Sequence, residues 1–126
     1  MPNADFRIKE VVSQEKKENP IVNKSFAFAC DVVDLNEQLI LLNHFQIAKQ
    51  VIRSGTSIGA TVKEAVRGAG KPDFIIKMSI ALKDAYETSY WFDIIDKKLV
   101  SIDIKLRNNL EEIIKLLVAI INSSKK

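Results

Sequence analysis

Residues 45–67, FQIAKQVIRSGTSIGATVKEAVR, decide the fold, because their apolar side chains recur at helical spacing. At about 100° per residue, one side of a helix collects a group of apolar side chains: Ile47, Val51, Ile58, Val62 and Ala65. The opposite side collects cations within about 80° of one another: Lys49, Arg53, Lys63 and Arg67. These cations are called the basic stripe, which is about 27 Å long. The stretch therefore predicts an amphipathic helix with one buried side and one basic side.

Gly55 and Gly59 lie inside this helix, at the edge of its apolar side. Each glycine lowers helix stability by about 1 kcal/mol relative to alanine, so a compensating contact is expected. Close approach of another helix is the preferred explanation. A phosphate-binding loop is disfavoured, because the next glycines, in Gly68-Ala69-Gly70-Lys71, lack the Walker spacing and follow a helix instead of a strand.

Start and stop signals divide the rest of the chain into three further helices. Asn19-Pro20 is typical of a helix start. The Gly68-Ala69-Gly70 break, followed by Pro72, separates the second helix from the third. Ser101 or Asp103 is predicted to cap the fourth. The predicted helices cover about residues 20–42, 45–67, 72–96 and 102–122.

The first and fourth helices each carry an apolar stripe at helical spacing. In the first helix the stripe is Phe26, Cys30, Val33 and Ile40, with Ala29 and Leu35 alongside. In the fourth helix it is Leu106, Leu110, Ile113, Leu117 and Ile120. Both stripes are predicted to enter the core, and Cys30 is expected to be a buried structural thiol.

Amphipathic helices joined by short connections predict an all-α protein, an antiparallel up-and-down four-helix bundle formed by residues 19–126. Residues 1–18 are expected to be a poorly ordered arm or, alternatively, a segment that docks on a neighbouring subunit. Some apolar side chains exceed what one small core needs: Ile75, Ile76, Tyr90 and Ile94 on the third helix, and Ile114, Val118 and Ile121 on the fourth. Surplus apolar surface indicates a partner, and self-association into a homo-oligomer is expected.

The charge of the chain is concentrated in the second helix. Residues 46–71 contain five cations and one anion, a net charge of +4, whereas the whole chain carries +3. The rest of the chain is therefore slightly acidic. A basic stripe of this kind fits contact with the phosphates of RNA or DNA. The alternative is an ordinary solvated face whose cations pair with acidic residues of neighbouring helices.

The sequence lacks the residue patterns of several functional classes. With His44 as the sole histidine and Cys30 as the sole cysteine, it has neither a di-iron motif nor a usual zinc ligand set. No metal, cofactor or catalytic residue is predicted, so the protein is not expected to be an enzyme. No apolar run reaches the roughly 18 residues of a membrane span, and no secretory signal is recognised. A cytoplasmic location without membrane contact is expected.

Two segments of the chain resemble one known family. The first is residues 50–60, QVIRSGTSIGA. The second is a third-helix pattern: Phe74, Lys77, Ile80-Ala81-Leu82-Lys83, Ala85, Glu87-Thr88 and Tyr90-Trp91. Both are similar to motifs of the bacterial four helix bundle protein family, which contains proteins encoded by intervening sequences within 23S rRNA genes. The likeness covers roughly residues 19–122, with Thr61 where the family usually has Asn and Asp84 where Glu is usual.

The resemblance implies a four-helix bundle that assembles into a ring, typically a homopentamer, without enzymatic activity and with a largely undefined role. A related group, the accessory protein of diversity-generating retroelements, uses a basic ring surface to engage RNA and a reverse transcriptase. The resemblance also allows a structural role for some matched residues, because Arg53 with Glu87 or Glu64 could form a polar clamp between helices.

Two functional hypotheses follow. In the first, a non-catalytic oligomeric bundle binds RNA or DNA phosphates through Lys49, Arg53, Lys63 and Arg67, without strong sequence preference. In the second, the protein is a scaffold or accessory subunit that recruits another protein and binds no nucleic acid. The first hypothesis fails if all four cations are locked in ion pairs or buried.

Overall fold

The computed structural model describes residues 19–68 and 70–126, so the predicted arm lies outside the described part. The helices are α1 (Pro20–Leu41), α2 (Phe45–Arg67), α3 (Lys71–Lys98) and α4 (Ile104–Ser124). The described residues contain no strand, which confirms the prediction of an all-α protein with four helices. α3 extends beyond the predicted 72–96 at both ends, and α4 starts two residues later than predicted.

Local chemistry accounts for the ends of the helices. Pro20 occupies the first turn of α1, where its missing N–H is not needed. Of the two cap candidates for α4, Asp103 is the cap, because its Oδ1 accepts a hydrogen bond from Lys105 N at 2.9 Å. Between α1 and α2, Asn43 has a φ of 66°, a left-handed conformation that asparagine tolerates better than most residues. This residue allows α2 to reverse direction after a very short turn.

Side-chain contacts show that neighbouring helices run antiparallel. Asn36 Nδ2 on α1 donates to the carbonyl of Ala48 on α2 at 2.8 Å, near the turn that joins the two helices. α1 also contacts α4, through an ion pair of 3.2 Å between Lys24 and Glu112. Each helix therefore packs against the helices before and after it, and the α1–α4 contact closes the bundle.

The core lies between all four helices, and two aromatic rings mark its centre. Phe28 on α1 and Phe92 on α3 are 1% and 0% exposed, with ring centroids 6.0 Å apart. The largest fully buried aliphatic side chains around them come from every helix: Leu39, Val32, Val51, Ile58, Val62, Met78, Ile95, Leu110, Ile113 and Leu117. Burial of this apolar surface is the main stabilising contribution to the bundle.

The predicted core side of α1 is largely wrong, although Leu35, which was predicted alongside it, is buried. Phe26, Cys30, Val33 and Ile40 are exposed, and Cys30 is not a buried thiol. The core residues of α1 lie on the other side of the helix: Ile21, Ser25, Phe28, Val32, Leu35 and Leu39. The physical reason is that α1 is apolar on two opposite sides, so helical spacing alone cannot indicate which side faces the core.

The predicted stripe of α4 is largely right. Leu106, Leu110, Ile113 and Leu117 are buried, and Ile120 is half-buried against the core. Ile121, which the sequence analysis assigned to a partner surface, is buried in the same core with 6% exposure. The buried stripe of α4 therefore ends at Ile121, four residues after Leu117, instead of at the predicted Ile120.

The interpretation of the two helix glycines is confirmed. A Cβ atom at Gly55 would lie 2.8 Å from Val32 Cγ1, and one at Gly59 would lie 3.1 Å from the carbonyl oxygen of Ser25. Both contacts come from α1, so the glycines allow α1 and α2 to approach closely. This contact also fixes the rotation of α2, and with it the direction in which the basic stripe points.

Candidate nucleic-acid interface

The basic stripe lies on the solvent side of α2, which packs between α1 and α3. The apolar side of α2 is fully buried through Val51, Ile58 and Val62, so the opposite side faces solvent. All four side chains of the basic stripe are on exposed residues. The stripe is therefore not covered by the rest of the described chain.

Lys49 and Lys63 are the freest cations of the basic stripe. Neither has an ion-pair or hydrogen-bond partner among residues 19–68 and 70–126. They lie 14 residues apart, which corresponds to about 21 Å along the helix. Their ammonium groups thus remain available to an anionic ligand at two separate points of one helix face.

Arg53 has a different environment, because it contacts α3. Its Nη2 atom forms an ion pair with Glu87 Oε2 and lies 3.5 Å from Gln50 Oε1. Glu87 Oε2 also accepts a hydrogen bond from Trp91 Nε1 at 3.1 Å. Arg53 and Glu87 therefore form a clamp between α2 and α3, and the carboxylate offsets much of the positive charge of Arg53.

A buried hydroxyl pair lies beneath this clamp. Ser54 and Thr88 are both 0% exposed, and their hydroxyl oxygens are 2.9 Å apart. Thr88 Oγ1 is also 2.8 Å from the carbonyl oxygen of Asp84. Each hydroxyl has one proton to donate. Both contacts are satisfied when Thr88 donates to the carbonyl oxygen of Asp84 and Ser54 donates to Thr88. The sequence analysis missed this pair, because serine and threonine inside an apolar helix face give no signal of which helix they meet.

Glu64 does not join Arg53 and Glu87. Its Oε1 atom lies 3.4 Å from Lys77 Nζ on α3, three turns of α2 beyond Arg53. The three residues considered for one polar clamp are therefore divided between two separate contacts of α2 with α3. Both contacts follow from the antiparallel arrangement, in which later residues of α2 meet earlier residues of α3.

The end of the basic stripe opens into a shallow groove between α2 and α3, with a volume of about 560 Å³. Three cations line it: Lys63, Arg67 and Lys77. Glu64 and Asp73 line the same groove, so its charge is mixed but positive by one unit. Lys77 was not among the predicted site residues, because it belongs to another helix and only antiparallel packing places it beside Lys63.

Asp84, which lies near the clamp, has a carboxyl whose pKa is raised above its ordinary value. Burial raises the pKa of its carboxyl, and the nearby negative charge of Glu87 raises the pKa further. The Arg53 guanidinium and Lys83 act in the opposite direction and lower this pKa. The net effect is a carboxyl that holds its proton to higher pH than an ordinary aspartate.

The stability difference between the wild type and an Asp84→Asn variant is therefore expected to depend on pH. The folded-state pKa lies above the ordinary value of 3.8, so the folded chain binds more protons than the unfolded chain in this window. As pH rises from below 3.8 through the folded-state pKa, the wild type should lose stability relative to Asp84→Asn. Urea unfolding at several pH values measures this difference.

An Arg53→Gln background provides the control for this pH dependence. Removing the guanidinium removes an influence that lowers the Asp84 pKa. In this background the chain with Asp84 should therefore lose stability relative to Asp84→Asn over a range that extends to higher pH. A stability difference that stays constant with pH, or that changes in the opposite direction, would contradict the assignment.

The described residues present exposed cations and no metal-binding cluster. No group of His, Cys, Asp and Glu within residues 19–68 and 70–126 could hold a metal ion. None of the described helices is both long and apolar enough to cross a membrane. Exposed cations on a straight helix suit an extended anion, because each ammonium can contact a phosphate without needing a pocket.

Comparison with known proteins identifies a family that this chain matches. The model of the 23S rRNA-intervening sequence protein family matches residues 17–123. One solved structure is a protein of unknown function from the S23 ribosomal protein family of Bacteroides thetaiotaomicron VPI-5482. It is 40% identical, with a TM-score of 0.76, and the match covers 80% of this chain and 97% of that chain. No curated protein matches this chain.

Proposed function

The chain belongs to the 23S rRNA-intervening sequence protein family, and we propose that it is a non-catalytic, self-associating bundle that binds nucleic-acid phosphates through the basic stripe. The family name describes where such proteins are encoded and does not name a ligand. The solved relative is likewise of unknown function. The proposal therefore depends on the residues of this chain.

The observation that carries the proposal is the state of Lys49 and Lys63. Both are exposed on the same side of α2, and neither is neutralised by another described residue. Exposed cations in a stretch with a net charge of +4 favour contact with a polyanion, because binding releases condensed counterions. Arg53 contributes less, since Glu87 already pairs with it.

The chemistry of these contacts implies low sequence preference. A lysine ammonium is a compact point charge, so it contacts phosphate oxygens without the planar, paired geometry that arginine uses to recognise guanine. The proposed ligand is therefore the backbone of RNA or DNA, with single strands and duplexes distinguished only by the spacing of their phosphates.

The second candidate function is a protein scaffold. The observation in its favour is the exposed apolar surface of α1 and α3, where Phe26, Ile76 and Tyr90 are each about 60% exposed. Exposed aromatic and branched side chains often mark protein contacts. A defined protein partner that is retained after nuclease treatment would favour this function over phosphate binding.

Loss of two ammonium groups tests phosphate binding. A Lys49→Gln/Lys63→Gln variant should bind labelled RNA and duplex DNA at least about tenfold more weakly at low salt, because two phosphate contacts are lost. The matched control is Lys98→Gln/Lys105→Gln, which removes the same charge from exposed positions outside α2. Equal losses in both variants would mean that total charge alone matters, and absence of wild-type binding at low salt would contradict the proposal.

A further inference from the structure

Arg53 lies between the two lysines of the basic stripe that have no partner in the described residues. Lys49 comes four residues before it and Lys63 ten residues after it. These separations correspond to about 6 Å and about 15 Å along α2. A nucleic-acid strand that contacts both lysines therefore has to pass over Arg53. Whether the strand gains a third contact there depends on the surroundings of the Arg53 guanidinium.

Glu87 reaches the guanidinium from α3. Its Oε2 atom pairs with Arg53 Nη2 and also accepts the hydrogen bond from Trp91 Nε1 at 3.1 Å. The Glu87 side chain is 31% exposed, compared with 56% for Arg53. The carboxylate is thus held to its own helix, while the arginine extends to it from α2. Because the pair carries no net charge, a phosphate near Arg53 gains little electrostatic attraction.

A second carboxyl on α3 opposes the release of Arg53. Asp84 lies three residues before Glu87, and its charge interacts with the charges of both Glu87 and Arg53. If Arg53 moved to a phosphate, Glu87 would lose its counter-ion while it remained beside another acidic group. Such an arrangement of like charges is unfavourable. The acidic groups of α3 therefore favour the paired position of Arg53 over a position on a bound strand.

We propose that Glu87 sets the affinity of the phosphate site by withholding Arg53 from the bound strand. This inference rests on the phosphate binding in the proposed function and adds a residue that limits it. In the wild type, Lys49 and Lys63 make the phosphate contacts. Removal of the Glu87 charge releases the guanidinium, whose parallel N–H donors fit two oxygens of one phosphate. Glu87 acts through Arg53 and is a positioning residue.

Neutralisation of Glu87 tests the proposal. In Glu87→Gln the amide oxygen can still accept the Trp91 hydrogen bond, but the charge that holds Arg53 is absent. One added phosphate contact makes the plot of log affinity against log salt steeper by about 0.7 for single-stranded RNA and about 0.9 for duplex DNA. Relative to 1 M salt, this contact raises affinity about five- to eightfold at 0.1 M salt. Fluorescence anisotropy of labelled RNA and DNA across a salt series measures both quantities.

The matched control is Glu112→Gln, which changes the net charge by the same amount. Glu112 is also an exposed carboxylate paired with a cation of a neighbouring helix, because it lies 3.2 Å from Lys24 on α1. It belongs to α4, which makes no contact with α2 within the described residues. The control should keep the wild-type slope. An equal increase in both variants would show that total charge alone raises the affinity, and the proposal would then be wrong.

An Arg53→Gln background shows whether Glu87 acts through Arg53. In this background Glu87→Gln should leave the slope unchanged, because no guanidinium remains to be released. A double variant with a steeper slope than Arg53→Gln alone would mean that Glu87 repels the strand directly. That result would overturn the positioning role of Glu87.

The emission of Trp91 provides a second measurement. Trp91 is the only tryptophan of the chain, and its hydrogen bond to Glu87 makes its emission sensitive to that carboxylate. Saturation of the wild type with RNA should leave the emission unchanged, because Arg53 and Glu87 stay paired. An emission shift that disappears in Arg53→Gln would show that the strand displaces Glu87 from Arg53, which contradicts the proposal.

These results can be distinguished from a failure of the proposed function. Wild-type binding that weakens in Lys49→Gln/Lys63→Gln but does not change in Glu87→Gln would refute only the role of Glu87. Absence of binding at low salt in both the wild type and Glu87→Gln would refute the phosphate site and the role of Glu87 together.

Discussion

Replacing Phe28 by alanine is expected to lower the free energy of unfolding by about 3–5 kcal/mol. The side chain is 1% exposed, and its ring packs 6.0 Å from that of Phe92 at the centre of the bundle. Alanine would leave a cavity that rigid neighbours from other helices cannot fill. Phe26 provides the matched control, because it lies two residues earlier in the same helix with 61% exposure.

Phe26→Ala is expected to change the unfolding free energy by no more than about 0.5 kcal/mol in the monomer, because the side chain is already in contact with water. Urea unfolding of both variants measures the difference. Measurements at two protein concentrations separate any contribution from self-association, which would raise apparent stability with concentration. A larger loss for Phe26→Ala than for Phe28→Ala would mean that the other side of α1 faces the core.

Gly55→Ala should destabilise the bundle by about 1–3 kcal/mol, although alanine is the better helix former. The added Cβ would lie 2.8 Å from Val32 Cγ1 and 2.9 Å from its Cγ2. Val32 is 0% exposed and cannot move aside without disturbing the core. Overpacking between α1 and α2 should therefore outweigh the gain in helix propensity.

The destabilisation by Gly55→Ala should become smaller in a Val32→Ala background. Without the valine methyl groups the two contacts below 3.0 Å are lost, and only the Cβ of residue 32 remains close, 3.3 Å from the added Cβ. A double-mutant cycle of unfolding free energies measures this coupling. An equal effect of Gly55→Ala in both backgrounds would contradict the close contact between the two helices.

Sequence patterns predicted some helix orientations better than others. α2 has one apolar side and one basic side, so its buried residues Val51, Ile58 and Val62 could be identified directly. α1 has apolar residues on both sides. Whether Phe26 or Phe28 enters the core depends on which side of α1 contacts Gly55 of α2. That contact is tertiary, and no pattern within α1 contains it.

The same limit applies to the candidate site. The shared face of Lys49 and Lys63 follows from helical geometry and could be predicted from α2 alone. The pairing of Arg53 with Glu87, and of Glu64 with Lys77, depends on the register between α2 and α3. Sequence reasoning proposed both glutamates as partners of Arg53 because it had no means of fixing that register. The structure therefore favours Lys49 and Lys63 over Arg53 as candidate phosphate contacts, because Arg53 is paired with Glu87.

The most direct test of phosphate binding is the salt dependence of RNA and DNA affinity. For a single strand, the plot of log affinity against log salt has a slope of about −0.7 per phosphate contact, and for duplex DNA about −0.9. The Lys49→Gln/Lys63→Gln variant should therefore show a slope shallower than the wild type by about 1.4 on single-stranded RNA and about 1.8 on duplex DNA. The Lys98→Gln/Lys105→Gln control should keep the wild-type slope. Equal slopes for the wild type and the Lys49→Gln/Lys63→Gln variant would contradict the assignment of these two lysines as phosphate contacts.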